Sequence, residues 1–273
     1  MTLELPHLRL PGQPGHVPLV VLLGLPSRLE SSRRLLEAIA GPRPLLAVTP
    51  TGPGASASSS IGWDELVAWL EACALSQGFE RFDLLGWSFG GAWALQLLAR
   101  HPARVRRAVV AVTCAHFRAR ERALFRLVQG VLDAAIDERT LIEGMVPMLF
   151  SPGFLHRPGV FATLAMHLGQ LSTSRPQWAA QLARLASHDL RASVPTMTAL
   201  HTVIAGDQDW LFPASEVRRL ADAAPAATFA ELPSGHAIWF EAEAAFVALV
   251  QRAFAQPDPD PHLDPHLDLR GDA

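Results

Sequence analysis

The chain has 273 residues, of which 49% are hydrophobic and 18% are charged, and this balance excludes disorder over most of its length. Its net charge of -3 gives no general reason to expect a nucleic-acid partner. Lysine is absent and all 23 basic residues are arginines, which excludes Schiff-base and pyridoxal-phosphate chemistry because both need a primary amine.

The first part of the chain alternates short apolar runs with helical patterns. The runs are continuous rather than alternating, which suits strands buried on both faces of a parallel sheet. The predicted strands are residues 17–23, 45–48, 82–85 and 105–112. The predicted helices are residues 31–40, 63–76 and 91–100. This alternation indicates a mostly parallel central sheet with helices on both of its faces.

Strand signals disappear between residues 115 and 191 and then return. The intervening pattern is that of helices broken by prolines, at positions 147, 152, 158 and 176. Further strands are predicted at 201–205 and 228–232, and further helices at 214–223 and 241–255. We therefore expect an α/β core with a helical cap inserted into it. The predicted core is made of residues 1–114 and 192–256, and the predicted cap of residues 115–191.

The end of the chain has a different composition. Residues 257–273 contain a direct repeat of Pro-His-Leu-Asp and are rich in proline and aspartate, which predicts a disordered tail.

Three features predict a soluble cytoplasmic protein. Cys73 and Cys114 are too few for a disulfide framework. Residues 1–10 lack the basic start and apolar run of a secretory signal. The best apolar stretch, residues 17–25, is interrupted by Pro18 and Gly24 and is too short to span a membrane.

Residues 86–90 read Gly-Trp-Ser-Phe-Gly, a G-x-S-x-G motif between a predicted strand and a predicted helix. A tight strand-to-helix turn needs Gly86 and Gly90, because a Cβ there would collide with neighbouring backbone. Such a turn exposes the Ser88 hydroxyl, and the start of the next helix favours a negative charge beside it. The alternative is a glycine-rich turn with an incidental serine, but the flanking elements favour a nucleophile.

A serine nucleophile needs a histidine base and an acid that orients this base. The loop after strand 201–205 contains Asp207 and Asp209. Asp209 fits the pattern G-x-x-D-x-x-x-P, whereas Asp207 is expected to be a turn residue that bonds its own backbone. His236 lies in the loop between strand 228–232 and the last helix. Because all three residues follow strands, we predict that Ser88, Asp209 and His236 are catalytic.

Three stretches carry a resemblance to a known family. They are residues 85–91 (Leu-Gly-Trp-Ser-Phe-Gly-Gly), 101–105 (His-Pro-Ala-Arg-Val) and 189–191 (Asp-Leu-Arg). With them, the layout from residue 19 to residue 255 resembles the α/β-hydrolase superfamily with a helical cap. Within this superfamily the stretches are similar to the pimeloyl-acyl-carrier-protein methyl ester carboxylesterases of biotin synthesis. The resemblance implies an α/β-hydrolase fold and carboxylic ester hydrolysis without a metal or organic cofactor.

The resemblance also implies two backbone amides that bind the oxyanion. Phe89 supplies one amide, and Leu25, in the loop after the first core strand, supplies the other. The family usually carries His-Gly in that loop, whereas this chain has Leu23 and Gly24. The family's acidic residue in the turn at 49–56 is likewise replaced, by Thr49. The amide of Leu25 does not depend on the side chain that has changed.

Substrate contacts are predicted in and around the cap. A set of apolar residues is expected to line an acyl pocket, although most such residues fill the cap core. The set is Trp87, Phe125, Met145, Met148, Leu149, Phe150 and Phe154. Arg139, followed by Thr140, resembles a cap position that contacts the carrier protein in the family. A local excess of arginine is either a docking surface for an acidic carrier protein or a solvated helix face. These arginines are at 118, 120, 122 and 126, with 104, 106 and 107 nearby.

The leading hypothesis is a serine carboxylesterase that acts on a small acyl ester through an acyl-enzyme. His236 would deprotonate Ser88, Asp209 would orient His236, and no metal or cofactor would be needed. Alternatives with the same three residues are an acyltransferase, a cofactor-free haloperoxidase and a carbon-carbon bond hydrolase. A non-catalytic relative that binds a small ligand is a further alternative. We expect a monomer with no nucleic-acid partner.

Overall fold

A computed structural model describes residues 3–25, 27–51, 61–134, 136–169 and 175–255. The tail predicted at 257–273 and residues 52–56 of the turn discussed above lie outside these ranges. The described residues form one seven-stranded sheet. Its strands are β1 (His7–Leu10), β2 (Leu19–Leu22), β3 (Leu45–Val48), β4 (Phe82–Trp87), β5 (Val105–Ala111), β6 (Leu200–Gly206) and β7 (Thr228–Leu232).

The strand order in the sheet is β1-β3-β2-β4-β5-β6-β7. β1 is antiparallel to β3, and every other described pair is parallel. The carboxyl ends of β4, β6 and β7 therefore lie along one edge of the sheet. This arrangement brings the residues that follow these strands, among them Ser88, Asp209 and His236, to the same edge.

The central strands are apolar at nearly every position. β2 (LVVL) and β3 (LLAV) are buried at all four of their residues, as expected for strands covered on both faces. β4 runs to Trp87, two residues beyond the prediction. β1 was not predicted, because the short segment His-Leu-Arg-Leu lies at the edge of the sheet and is only partly buried.

Two layers of helices cover the sheet. The helices outside the segment between β5 and β6 are α1 (Leu29–Ala40), α2 (Trp63–Ser76), α3 (Phe89–Arg100), α9 (Ala214–Ala223), α10 (Ile238–Glu241) and α11 (Glu243–Ala255). α1 and α11 pack on one face through residues such as Leu36, Ile39 and Phe246. α2, α3 and α9 pack on the other face. The prediction of a mostly parallel sheet with helices on both faces is thus confirmed.

Five helices are described between β5 and β6. They are α4 (Ala119–Asp133), α5 (Glu138–Leu149), α6 (Pro152–Leu155), α7 (Val160–Gly169) and α8 (Arg175–Ala186). Pro152 and Pro176 lie in the first turns of α6 and α8, where a missing amide hydrogen does little harm. The prediction that Pro147 breaks a helix is wrong, because it lies inside α5. Only two residues of α5 follow Pro147, so the backbone hydrogen bond that this proline cannot make is lost close to the helix end.

Candidate active site

Ser88 occupies the tight turn between the end of β4 and the start of α3. Its backbone has φ 56° and ψ -123°, a conformation that residues other than glycine rarely adopt. A Cβ at Gly86 would meet the carbonyl of Gly90, and a Cβ at Gly90 would meet the carbonyl of Leu22. The amide of Ser88 donates to the carbonyl of Ala111 at 2.9 Å. Glycines and one backbone hydrogen bond therefore hold the serine in a strained turn.

Ser88, His236 and Asp209 form one chain of hydrogen bonds. His236 Nε2 lies 2.9 Å from Ser88 Oγ, and His236 Nδ1 lies 2.9 Å from Asp209 Oδ2. Asp209 Oδ1 accepts from the amides of Leu211 at 2.8 Å and Phe212 at 3.0 Å. Because a carboxylate accepts a hydrogen bond, the ring hydrogen of a neutral histidine is on Nδ1. Nε2 then carries no hydrogen and can accept the serine proton. The structure thus brings together the three residues that were predicted to be catalytic.

Asp207 connects the loop of Asp209 to the loop of His236. Its Oδ1 accepts from the amide of Ser234 at 3.0 Å, and the amide of Gln208 donates to the carbonyl of Ser234 at 3.0 Å. We predicted that Asp207 would bond its own backbone. The structure corrects this, because β6 and β7 are adjacent and their loops lie within reach of each other.

Glu241 forms a second connection to the histidine loop. Its carboxylate accepts from the amides of Gly235 at 3.0 Å and Ser151 at 2.9 Å, and from the hydroxyl of Ser151 at 2.5 Å. Ser151 is also the N-cap of α6, since its hydroxyl accepts from the amide of Phe154. This role of Glu241 was not predicted, because its partner Ser151 is 90 residues away in the chain. The Ser151-Pro152 start of a helix was the one available signal.

Leu25 and Phe89, the predicted oxyanion residues, border the same cavity as Ser88 and His236. Phe89 is the first residue of α3, so its amide has no carbonyl acceptor one turn earlier in that helix. The loop of Leu25 passes directly beside the nucleophile turn, because a Cβ on Gly24 would lie 2.8 Å from Ser88 Cβ. Both predicted donors therefore flank the serine.

The cavity at Ser88 has a volume of about 70 Å³. Apart from Ser88 and His236, the described side chains that line it are all apolar, and most of them come from α4, α5 and α8. The predicted candidates Phe125, Met145, Met148 and Leu149 belong to this wall, whereas the contribution of α8 was not predicted. The residues of α8 in the wall are Trp178, Leu182 and Leu185. Their spacing of four and three positions marks one face of a helix and was the available signal.

Two of the three residues predicted to bind substrate lie elsewhere. Trp87 is 1% exposed and stacks on Trp239 with ring centres 5.5 Å apart, because successive residues of a strand point to opposite faces. The Arg139 side chain is 85% exposed and pairs with Glu143 at 2.6 Å. Neither lines the cavity at Ser88, so the expected contact of Trp87 with an acyl chain is corrected, whereas the contact of Arg139 with a carrier protein stays a prediction. Phe150 lines an adjoining cavity.

The predicted arginine cluster is divided between two ends of the molecule. Arg106 lies at the start of β5 and pairs with buried Asp83, at the edge of the sheet opposite Ser88. Arg118 pairs with Glu216 at 3.2 Å. Arg120 pairs with Glu121 at 3.2 Å and also donates to the carbonyls of two residues in the loop after β6. The length of β5 separates the two groups, which corrects the expectation that arginines 104, 106 and 107 extend the surface at 118–126.

Cys114 and the described metal-ligating side chains are not arranged for further chemistry. Burial raises the pKa of the Cys114 thiol to about 12, so this cysteine stays protonated. In the described part of the chain, no three His, Cys, Asp or Glu residues are grouped so that they could hold a metal ion. None of the helices within the described ranges is long and apolar enough to cross a membrane.

The family model of the alpha/beta hydrolase fold matches residues 17–243. No curated protein matches the sequence.

Several solved structures are similar to this chain. One is MGS-M2, an alpha/beta hydrolase enzyme from a Medee basin deep-sea metagenome library. Its TM-score is 0.84 at 22% identity, with coverage of 95% of this chain and 97% of that chain. The enol-lactonase from Burkholderia xenovorans LB400 has a TM-score of 0.82 at 21% identity, with coverage of 93% and 97%. A thermophilic esterase from Thermogutta terrifontis has a TM-score of 0.77 at 17% identity, with coverage of 92% of both chains. At these identities the likeness concerns the fold alone.

Proposed function

The chain belongs to the α/β-hydrolase family, and from this premise we propose that it hydrolyses carboxylic esters through an acyl-enzyme on Ser88. The observation that carries the proposal is the chain of two 2.9 Å hydrogen bonds from Asp209 through His236 to Ser88. The esterase and the enol-lactonase among the similar structures agree with it in name. A site with serine, histidine and aspartate in this order supports acyl transfer.

In the first step, His236 Nε2 takes the proton of Ser88 Oγ while this oxygen attacks the ester carbonyl carbon. The carbonyl oxygen becomes an oxyanion, which in this proposal the backbone amides of Leu25 and Phe89 bind. His236 then gives its proton to the departing alkoxide, and the alcohol leaves. Asp209 keeps the ring oriented and stabilises its positive charge. The product of this half-reaction is an ester of Ser88.

In the second step, His236 takes a proton from water, which attacks the acyl carbon of the Ser88 ester. The tetrahedral intermediate collapses, the carboxylic acid leaves and the proton returns to Ser88 Oγ. Both half-reactions use the same base and the same oxyanion donors. This chain's residues supply every proton transfer that the hydrolysis requires.

Ser88→Ala tests the proposal. We expect it to lower the turnover of p-nitrophenyl butyrate by about 10³-fold or more, because the covalent intermediate can no longer form. The thermal midpoint of unfolding should change little, since alanine keeps the Cβ at this strained position and removes only the hydroxyl. A fluorophosphonate should label Ser88 in the unmodified protein. Full activity of Ser88→Ala would overturn the mechanism, and an unreactive Ser88 would favour a ligand-binding relative.

The other reactions that use these three residues differ in the molecule that accepts the acyl group or in the bond that is cleaved. An acyltransferase would prefer an added alcohol to water, a haloperoxidase would use peroxide, and a carbon-carbon bond hydrolase would cleave a diketone. We expect ester hydrolysis to exceed each of these in a panel of such substrates.

Four more specific predictions remain to be tested. They are a pimeloyl-carrier methyl ester as substrate in biotin synthesis, a carrier protein bound at cap arginines, a cytoplasmic location and a monomeric state. Rescue of a biotin auxotroph that lacks its esterase tests the substrate.

A further inference from the structure

A second cavity adjoins the one that contains Ser88. Its volume is about 210 Å³, three times that of the cavity at Ser88. It lies between the start of α1, the residues of α10 and part of the cap. Leu25 and Leu149 line both cavities, so the two cavities lie side by side. A substrate attacked at Ser88 therefore has two regions of different size available to it.

The chemistry of the proposed reaction decides which part of an ester goes where. His236 must protonate the leaving alkoxide, so the alcohol part of the ester lies on the histidine side of the carbonyl. His236 itself lines the first cavity, but Ala237 and Trp239 line the second, and the Trp239 ring centre lies 6.1 Å from that of His236. The first cavity extends from Ser88 and Phe89 towards the cap. We propose, on the basis of the proposed esterase function, that the second cavity binds the alcohol part and the first binds the acyl part.

The side chains of the two cavities indicate the substrate class. The acyl cavity offers about 70 Å³ and apolar walls, which fits a short hydrocarbon chain. The alcohol cavity has an aromatic wall of Phe150, Phe240 and Trp239, with the Phe150 and Phe240 ring centres 5.7 Å apart. On its other side lie polar residues of α1, including Ser32, and the carboxylate of Glu243. The substrate is thus an ester of a short acid with a larger alcohol that has a flat apolar body and polar substituents.

Two series of esters test this assignment. Ethyl and 2-phenylethyl butyrate have alcohols of similar acidity, so the ratio of their kcat/KM values reports binding of the alcohol part. We expect a ratio of about 10 or more in favour of the 2-phenylethyl ester. With 2-phenylethanol kept constant, kcat/KM should fall at least about tenfold from butyrate to octanoate. Preference for octanoate, or a ratio near one, would overturn the assignment.

A pair of variants on α1 locates the effect. Ser32→Phe fills the alcohol cavity, so the 2-phenylethyl to ethyl ratio should fall about tenfold or more. Ala38→Phe adds the same side chain to an exposed position of the same helix outside the cavity, and its ratio should equal that of the unmodified protein. An unchanged ratio in folded Ser32→Phe would contradict the inference. If the unmodified protein hydrolyses no ester and Ser88 is not labelled, the proposed function itself fails, which is a separate outcome.

Discussion

Asp207 and Asp209 lie two positions apart in the loop after β6, yet their carboxylates have different roles. Asp209 accepts from His236 Nδ1. Within the described residues, Asp207 accepts from amide groups, namely the Ser234 backbone at 3.0 Å and the Gln208 side chain at 3.4 Å. An asparagine at 207 keeps an oxygen acceptor for Ser234. An asparagine at 209 can present an amide hydrogen to His236, which forces the other tautomer of the ring.

We therefore predict opposite results for the two conservative substitutions. Asp209→Asn should lower kcat by about 10³- to 10⁴-fold, because Nε2 then carries a hydrogen and cannot accept the serine proton. Asp207→Asn should keep kcat within about fivefold, because the acceptor oxygen survives. Steady-state kinetics on one ester, with thermal unfolding of both variants, measures the difference. Equal losses would show that the loop, rather than the orientation of His236, determines the rate.

His188 makes stability depend on pH. It is 1% exposed, its Nε2 lies 3.1 Å from the carbonyl of Cys114, and its Nδ1 lies 2.9 Å from the side-chain amide of Gln96. Burial lowers its pKa from 6.5 to about 4, opposed by the hydrogen bond to the Cys114 carbonyl and by Asp189 and reinforced by His116 and Arg100. The unfolded chain therefore takes up this proton at a higher pH than the folded protein does. Stability is lost as the pH falls from about 6.5 to about 4.

The expected loss from this one group is about 3 kcal/mol, from the 1.36 kcal/mol that each pKa unit represents. His188→Gln has no titrating group, so its stability should fall less over the same interval, by about this difference. Urea unfolding of both proteins at about pH 7 and about pH 4 gives the two free-energy changes. Identical losses would mean that His188 is not protonated on unfolding in this range.

At the scale of elements, Glu241 at the end of α10 joins the histidine loop to the start of α6. Glu241→Ala removes an acceptor from two backbone amides and one hydroxyl, so it should lower the free energy of unfolding by about 1–3 kcal/mol. It should also lower kcat, because Gly235 precedes His236. Glu241→Gln keeps one oxygen acceptor for the two amides and should recover most of both losses. If kcat does not change in folded Glu241→Ala, then the link does not position the base.

The sequence predicted the elements that carry the nucleophile with good accuracy. The apolar run that begins at Phe82, the G-x-S-x-G motif and the amphipathic pattern after it are local signals, and β4 and α3 follow them closely. β1 was missed because a four-residue edge strand has little hydrophobic pattern of its own. α10 was missed because its single turn is too short to show helical periodicity.

The predicted site shows the same division between local and distant signals. Ser88, Asp209 and His236 could be found because each follows a strand of a parallel sheet. The walls of the two cavities depend on how helices of the cap pack against the core, which no local pattern encodes. Trp87 was therefore placed in the pocket when it belongs to the core, and α8 was left out of the pocket that it lines.

At the scale of the whole molecule, the buried ion cluster of Asp83 and the active site lie at opposite edges of the sheet. Asp83 and Ser88 are five positions apart along β4, a separation of roughly 16 Å in an extended strand. The Asp83 side chain is fully buried and accepts from Arg43 and Arg106. The active site therefore does not share partners with this ion cluster.

Asp83→Asn should lower the free energy of unfolding by about 3–5 kcal/mol, because it leaves two largely buried guanidinium groups beside a neutral amide. The kcat of the folded variant should stay within about twofold, since distant sites behave independently. Asp64→Asn is the matched control. The Asp64 side chain is 82% exposed and pairs with Arg100 at 2.7 Å, so its loss should be below about 1 kcal/mol. Equal destabilisation by both variants would contradict this view of the cluster.

The stacked pair of Trp87 and Trp239 gives the protein an internal optical reporter. Trp87 directly precedes Ser88, whereas Trp239 borders the larger cavity, and the chain has no tyrosine to contribute emission. A molecule that enters this cavity touches one indole of the pair and thereby alters its fluorescence. The spectrum of the unmodified protein minus that of Trp239→Phe isolates this signal from the other tryptophans. Occupancy can then be followed in real time without a dye.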